Sequence, residues 1–175
     1  MKMTLVRHTS VDVPQGVCYG QSDVPLRATF VREAETVREK LKGLRFDAVY
    51  TSPLSRCVKL ASYCGYDDAV RDGRLMEMNF GEWEMQRWDE IKDPRLNEWF
   101  EDWFHVKATG GESSEEQQQR LRQFLEEIRT NDKENVLLFT HGGIMIHMLL
   151  LSGAATLDNV FSQQPDYAGI LQIEL

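Results

Sequence analysis

Arginine and histidine side chains follow three short apolar runs of this sequence. Arg7 and His8 directly follow one run, His141 follows another, and Arg56 lies shortly after the third. Guanidinium groups bind phosphate oxygens in pairs of charge-assisted hydrogen bonds, and an imidazole can attack phosphorus as a nucleophile. No acidic residue stands among these four. The pattern therefore predicts a site for a phosphate dianion.

The residues beside them support the same chemistry. Ser52 at the N-cap and Pro53 at the first helical position would begin a helix, with Arg56 in its opening turn. A helix N-terminus presents free N–H groups to an anion. Gly142 and its neighbour Gly143 allow the backbone to approach a ligand closely.

Taken singly, each of these residues has an ordinary structural interpretation. A lone arginine is more often solvated or ion-paired, and a lone histidine after a strand is usually a turn residue. The coincidence of three loops favours function. His105 and His147 lack this context, so we expect His105 to be exposed and His147 to lie on the helix that follows Gly143. Cys, His and carboxylate residues show no metal-ligand spacing here, which predicts a site without metal or cofactor.

Strand and helix patterns alternate along the chain, which predicts an α/β fold with a parallel sheet in a single domain over residues 1–175. The predicted strands are Met3 to Val6, Ala48 to Tyr50, Val136 to Phe139 and Gly169 to Leu175. The predicted helices are Thr29 to Lys42, Pro53 to Cys64, Ser114 to Arg129, starting with a Ser113/Glu116 capping box, and Gly143 to Leu151. Ligands of such sheets bind beyond the carboxyl ends of the strands, where the arginines and histidines lie.

Composition restricts the partners. The 175 residues are 42% hydrophobic and 27% charged, which is typical of a globular domain, and the net charge of −8 disfavours nucleic acid or an anionic membrane. No apolar run reaches the roughly 18 residues of a membrane span, and no cleavage pattern follows Met1, so we expect a cytoplasmic location. Three cysteines, an odd number, indicate reduced thiols.

Four ordered motifs resemble those of the histidine phosphatase (phosphoglycerate mutase-like) superfamily. They are Leu5-Val6-Arg7-His8, Thr51-Ser52-Pro53-Leu54-Ser55-Arg56, Leu75-Met76-Glu77-Met78-Asn79-Phe80-Gly81-Glu82-Trp83-Glu84 and Thr140-His141-Gly142-Gly143. The resemblance implies a three-layer αβα sandwich with a mostly parallel central sheet, one antiparallel strand and a small helical lid region. It also implies a metal-independent enzyme that acts on a small phosphomonoester.

Residue roles follow from the same resemblance. His8 would be the nucleophile that becomes phosphohistidine, and Glu77 the general acid. The phosphoryl group would be bound by Arg7, Arg56 and His141, with backbone groups near Gly20, Gln21 and Gly142 completing the pocket.

The segment Cys18-Tyr19-Gly20-Gln21-Ser22-Asp23-Val24-Pro25-Leu26 resembles a loop of the α-ribazole phosphatase branch, which implies α-ribazole 5′-phosphate as substrate in cobamide (vitamin B12) assembly. The alternatives are a broad sugar-phosphate phosphatase, a phosphoglycerate mutase-like enzyme, and a catalytically silent protein that binds a phosphorylated ligand. Retention of His8, Glu77 and His141 together argues against the silent protein.

The sequence departs from the family pattern at several positions. Thr9, Ser10 and Pro14 stand where most members have Gly, an acidic residue and Asn. The phosphate contact of that Asn falls to Ser10 or Gln21 as alternatives. Met85 replaces the usual Gly after Trp-Glu, which affects the shape of the loop.

Two questions stay open at the sequence level. Glu77, Glu82 and Glu84 lie within eight residues, and only the resemblance selects Glu77 as the acid. The pairs Trp99/Trp103 and Phe100/Phe104 have helical i,i+4 spacing beside Trp88, which favours core packing, with contact to an aromatic leaving group such as a benzimidazole as the alternative.

Overall fold

A five-stranded sheet lies between two layers of helices. The computed structural model describes residues 1–131 and 133–175. The strands are β1 (Lys2–Arg7), β2 (Ala48–Thr51), β3 (Val70–Arg71), β4 (Asn135–Thr140) and β5 (Ile170–Glu174). The helices are α1 (Phe30–Leu41), α2 (Ser55–Tyr63), α3 (Arg95–Glu101), α4 (Ser114–Arg129), α5 (Gly142–Leu151) and α6 (Val160–Gln163), with short 3₁₀ turns at Gly73–Leu75 and Gly81–Trp83.

The order of the strands is β3-β2-β4-β1-β5, and β5 alone runs antiparallel to its neighbour β1. Alternate residues of β1 and β4 point to opposite faces of the sheet. Met3 and Leu138 pack against α4 and α5, while Val6 and Phe139 pack against α1 and α2. This alternation builds the two apolar layers and confirms the predicted α/β sandwich.

The register of the sheet places the candidate residues side by side. Arg7 on β1 lies opposite Thr140 on β4, so His8 and His141, which follow them, leave the sheet at the same level. Thr51 on β2 lies opposite Phe139, which brings Ser52 to the same edge.

The predicted start of α2 needs correction. Helix α2 begins at Ser55 with Leu54 at its N-cap, so Ser52 is not the N-cap and Pro53 is not the first helical residue. The backbone of Leu54 is extended, and its N–H donates to the Ser52 hydroxyl instead of starting the helix. Helix α4 and its Ser113/Glu116 capping box have the predicted bounds.

The aromatic i,i+4 pairs do not share a helix. Helix α3 ends at Glu101, so Trp103 and Phe104 lie beyond it. Within the described residues, no helix is long and apolar enough to cross a membrane. Cys18, Cys57 and Cys64 are free thiols.

Candidate active site

His8 has one ring nitrogen whose lone pair is free. It is 1% exposed, and its Nδ1 lies 2.8 Å from the carbonyl oxygen of Thr9. A carbonyl only accepts hydrogen bonds, so Nδ1 carries the proton and Nε2 keeps its lone pair. Burial, followed by the charge of Arg56, lowers the pKa of His8 to about 3. The imidazole is therefore neutral at physiological pH, as a nucleophile must be.

His141 lies beside it, with the ring centroids 5.2 Å apart. Arg56 Nε donates to His141 Nδ1 over 3.3 Å, so the proton of the neutral ring is on Nε2, which lies 2.7 Å from the Ser52 hydroxyl oxygen. Burial and the Arg56 charge hold the pKa of His141 well below its usual value. Ser52 thus faces the site instead of capping a helix.

Arg7 and Arg56 are held by carbonyl oxygens and not by carboxylates. Arg56 is fully buried and donates to the carbonyls of Gly20 at 2.6 Å and Ser22 at 2.9 Å. Arg7 donates to the carbonyl of Pro165 at 2.7 Å, and its Nε is buried without a partner in the described part of the chain. None of the ion pairs among the described residues includes either arginine. Both positive charges are free to meet an anionic ligand.

Glu77 lies at the N-terminus of α5. Its carboxylate accepts from the backbone N–H groups of Gly143 at 3.1 Å and Met78 at 2.9 Å, and from the Gln117 side-chain amide at 3.3 Å. A Cβ at Gly143 would overlap the Glu77 carboxylate. The glycine is therefore what lets the acid approach this helix end.

The other two glutamates differ from Glu77. Glu84 accepts from the N–H groups of Gln21, Ser22 and Phe80 and from the Ser22 hydroxyl, which holds the segment that carries Gly20 in place. Glu82 is exposed. Of the three candidates, Glu77 is the one whose carboxylate lies against the helix that follows His141.

Several of the groups near Gly20 and Gln21 that are predicted to bind the substrate already have hydrogen-bond partners within the protein. The Gly20 carbonyl accepts from Arg56, the Gln21 N–H donates to Glu84, and the Gln21 amide donates to the Glu77 carbonyl. A Cβ at Gly142 would overlap the Gln164 amide and lie 3.3 Å from Arg7 Cζ, so the glycine permits a close approach of Arg7. The roles of Gly20, Gln21 and Gly142 in substrate binding stay predictions.

Four residues outside the predicted catalytic and binding set contact it, and one of them, Ser52, is predicted from the sequence only as a helix N-cap. Ser52 and Gln117 contact His141 and Glu77, while the rings of Tyr19 and Tyr167 lie over Arg56 and Arg7. Ser52 could have been found from its position at a strand end. The other three depend on how loops and α4 pack, which the sequence pattern does not specify.

An aromatic cavity of about 370 Å³ adjoins the cluster of Arg7, His8, Arg56, Glu77 and His141. Arg7, Glu77 and Gly143 line it where it meets the cluster. Besides His147, the aromatic residues along its walls are Tyr19, Phe80, Trp88, Trp99, Trp103 and Phe161. Trp88 and Trp99 pack in one apolar group with Trp83, and Trp103 packs on Phe161 in another. These rings therefore serve both core packing and the lining of the cavity.

The two remaining histidines behave differently from each other. His105 is exposed and pairs with Asp102. His147 lies on α5, fully buried, and lines the aromatic cavity. Its Nε2 lies 3.2 Å from both the Ser114 hydroxyl and the Gln117 side-chain oxygen. Across residues 1–131 and 133–175, no group of three His, Cys, Asp or Glu could hold a metal ion.

Comparisons with known proteins show the family to which the chain belongs. The family model of the histidine phosphatase superfamily (branch 1) matches residues 3–175. A Hydrogenobacter thermophilus protein named as a candidate phosphoserine phosphatase is 33% identical over 99% of this chain and 89% of its own length. The adenosylcobalamin/alpha-ribazole phosphatase of Escherichia coli is 27% identical over 83% of this chain and 75% of its own length. The crystal structure of the alpha-ribazole phosphatase from Shigella flexneri superposes with a TM-score of 0.87 at 25% identity, covering 100% of this chain and 91% of that one.

Proposed function

Because the chain belongs to the histidine phosphatase superfamily, we propose that it hydrolyses phosphomonoesters through a phosphohistidine on His8, without a metal ion, and that its substrate is α-ribazole 5′-phosphate. The observation that supports the mechanism best is the neutral His8 beside two arginines that no carboxylate of the described residues neutralises. The phosphatase relatives support the reaction class. Its cytoplasmic location and its single domain over residues 1–175 stay predictions.

The first half of the reaction transfers the phosphoryl group to the enzyme. Arg7 and Arg56 bind the phosphoryl oxygens, and His141 joins them when its Nε2–H turns from the Ser52 hydroxyl to the ligand. The lone pair on His8 Nε2 attacks phosphorus in line with the leaving oxygen. The bond from phosphorus to that oxygen breaks, and protonated Glu77 gives its proton to the leaving alcohol. The Thr9 carbonyl keeps the ring oriented by holding the Nδ1 proton.

The second half returns the enzyme to its starting state. Water attacks the phosphorus of phosphohistidine and gives a proton to the Glu77 carboxylate. The bond from phosphorus to His8 Nε2 breaks, and inorganic phosphate leaves. Two transfers replace one direct hydrolysis, a reaction that needs up to about 10²¹-fold acceleration.

The aromatic cavity supports the choice of leaving group. Among the described residues that line it, the charged ones are Arg7 and Glu77, which the phosphoryl chemistry uses. An uncharged aromatic nucleoside such as α-ribazole matches walls of tryptophan and phenylalanine. The relatives named for α-ribazole support the same substrate.

Hydrolysis of phosphoserine is the second candidate, because the 33% identical relative carries that name. Serine would bring an ammonium and a carboxylate group into the cavity, where the described lining residues offer no counter-ion other than Arg7 and Glu77. Burying unpaired charges is costly. We therefore expect kcat/KM for α-ribazole 5′-phosphate to exceed those for O-phosphoserine, 3-phosphoglycerate and ribose 5-phosphate. A preference for phosphoserine would overturn the substrate assignment and leave the mechanism intact.

The decisive experiment traps the intermediate. With ³²P-labelled substrate in excess EDTA, a rapid quench of the wild-type enzyme should yield a phosphoenzyme that is labile in acid and stable in base. His8→Ala should take up no label, while His105→Ala, which removes an exposed histidine, should label normally. Labelling of His8→Ala, or an acid-stable phosphoenzyme, would show another nucleophile. Loss of turnover in EDTA with recovery in Mg²⁺ or Zn²⁺ would show that a metal takes part.

A further inference from the structure

Two tyrosines cover the two arginines of the site. The ring centroid of Tyr167 lies 4.4 Å from Arg7 Cζ, and that of Tyr19 lies 5.2 Å from Arg56 Cζ. Both distances fall within the range of cation–π attraction. Neither tyrosine belongs to a helix or strand.

The hydroxyl groups of these tyrosines meet. Tyr19 and Tyr167 are 148 positions apart in sequence, and their phenolic oxygens lie 2.8 Å apart, a hydrogen bond in which either can donate. This bond links the loop before Gly20 to the turn before β5. The four side chains thus form a continuous chain in space, from Arg7 through Tyr167 and Tyr19 to Arg56.

The turn that carries Tyr167 is fixed to the nucleophile's own backbone. The Ala168 N–H donates to the His8 carbonyl at 3.1 Å, and the Arg7 N–H donates to the Gly169 carbonyl at 3.0 Å. Ala168 has a φ of 56°, a left-handed conformation that alanine rarely adopts. The turn therefore holds an unfavourable backbone geometry at the point that places the Tyr167 ring over Arg7.

A phosphate-binding arginine has two requirements that conflict. Its guanidinium group needs a fixed orientation before the ligand arrives, and its charge has to stay available for the ligand. A carboxylate would orient the group and neutralise it. The face of an aromatic ring attracts the cation without adding a formal negative charge. Carbonyl oxygens and tyrosine rings together meet both requirements here.

We propose that Tyr19 and Tyr167 are positioning residues, joined through their hydroxyls, that hold Arg56 and Arg7 in the orientation that binds the phosphoryl group. The proposal rests on the proposed function, in which these arginines bind that group. Ser10 and Gln21, the two alternatives for the contact of the family Asn, have backbone N–H groups that already donate to the carboxylates of Glu33 and Glu84.

Removing the ring tests the positioning of Arg7. Tyr167→Leu should raise the Ki of inorganic phosphate about 5- to 30-fold, the fold-change expected from one cation–π contact, and lower kcat/KM for p-nitrophenyl phosphate at least as much. Tyr167→Phe keeps the ring and should raise the Ki less than about fivefold, as expected for the loss of one hydrogen bond. Tyr63→Leu is the matched control, because it removes a ring that lies over Arg38, an arginine outside the proposed site. Its Ki and kcat/KM should stay within twofold of wild type.

The hydroxyl link has its own test. Tyr19→Phe, Tyr167→Phe and the double variant should show the same rise in Ki, because either single change already breaks the one bond between them. Fully additive effects would overturn the link. Equal losses in Tyr167→Leu and Tyr167→Phe would show that the ring does not position Arg7.

Failure of this proposal is distinguishable from failure of the proposed function. If Arg7→Ala abolishes phosphate inhibition while Tyr167→Leu behaves as wild type, the arginine binds phosphate and the tyrosine does not position it. If Arg7→Ala itself keeps the wild-type Ki, the phosphate site is assigned wrongly. Should Tyr167→Leu fail to fold by circular dichroism, Tyr19→Leu tests the same effect on Arg56, and an unchanged Ki there would overturn the proposal.

Discussion

At the scale of single residues, the positive charges of the site help to keep the proposed nucleophile neutral. Burial and the Arg56 guanidinium lower the pKa of His8, so the same cation that is proposed to bind the phosphoryl group also keeps the attacking ring unprotonated. A protonated ring would have no lone pair to attack with. A buried carboxylate in contact with Arg56 would weaken both its attraction for the phosphoryl group and its lowering of the His8 pKa. The carbonyl oxygens that hold Arg56 orient it without this loss.

Glu77 is the proposed general acid, and the effect of its loss should depend on the leaving group. An alkyl alcohol needs a proton as it leaves, whereas p-nitrophenolate leaves almost unaided. We expect Glu77→Gln to slow hydrolysis of an alkyl phosphate by about 10²- to 10⁴-fold and that of p-nitrophenyl phosphate much less. Measuring kcat/KM for both substrates checks this.

The neighbouring glutamates provide the controls. Glu82→Gln changes an exposed side chain and should leave both substrates unaffected. Glu84→Gln loosens the loop that carries Gly20 and Gln21, so it should lower kcat/KM for both substrates by a similar factor. A selective loss on the alkyl phosphate in either variant would move the general acid away from Glu77.

At the scale of elements, strand ends and one helix N-terminus place most of the cluster. Helix α5 begins at Gly142, directly after His141, and its Gly143 N–H holds Glu77. A single element thus connects a residue proposed to bind the phosphoryl group with the proposed acid.

Gly143→Ala tests this arrangement. Its Cβ would overlap the Glu77 carboxylate and lie 2.8 Å from the Gln117 amide nitrogen, so the acid has to move. Alanine suits a helix better than glycine, so the fold should persist. We expect kcat/KM to fall at least about tenfold for an alkyl phosphate and less for p-nitrophenyl phosphate, as in partial loss of general acid catalysis.

Gly73→Ala is the matched control for this variant. A Cβ at Gly73 would meet no atom within 4 Å, so both substrates should be hydrolysed at the wild-type rate. Equal kcat/KM values for Gly143→Ala and wild type on the alkyl phosphate would show that Glu77 does not need this contact.

The elements with strong local patterns were predictable from the sequence. The buried runs of β1 and β4 and the capped helix α4 have clear signals, and their bounds differ by at most one residue from the prediction. β3 has two residues, too few to give a periodic pattern, and it was missed. The start of α2 was predicted two residues early, because Ser52 and Pro53 have a good capping sequence whose serine bonds to His141 instead.

The residues of the site divide in the same way into those that the sequence predicts and those that it does not. The His8 and His141 positions follow from strand ends, and adjacency of β1 and β4 brings them together. Gln117, Tyr19 and Tyr167 reach the cluster only through the packing of α4 and of two loops. The sequence signal for such contacts is weak, since each residue type is also common in ordinary helices and turns.

At the scale of the whole molecule, buried histidines should control stability in acid. His8, His141 and His147 are at most 1% exposed. Burial lowers the pKa of His8 and His147 to about 3, and it holds that of His141 well below its usual value. The native state therefore excludes three protons that an unfolded chain, with histidine pKa values of about 6.5, takes up readily.

The direction of the effect follows from this difference. Well above a pH of about 6.5 both states leave these rings neutral, and they contribute nothing to the pH dependence. As pH falls from about 6.5 toward 3, the unfolded chain gains protons and becomes more stable relative to the native one. The free energy of unfolding should then decrease by up to about 4 kcal/mol per pH unit, the slope for three protons.

Urea unfolding at pH 7.5, 6.5, 5.5 and 5.0 measures that slope, and His147→Gln should reduce it by about one third, because one of the three excluded protons is gone. His105→Gln, which removes an exposed histidine, serves as the control and should keep the wild-type slope. Identical slopes for His147→Gln and wild type would show that buried histidines do not cause the loss of stability in acid. If the prediction holds, activity at low pH ends where the fold is lost, since His8 itself stays neutral as long as the native structure surrounds it.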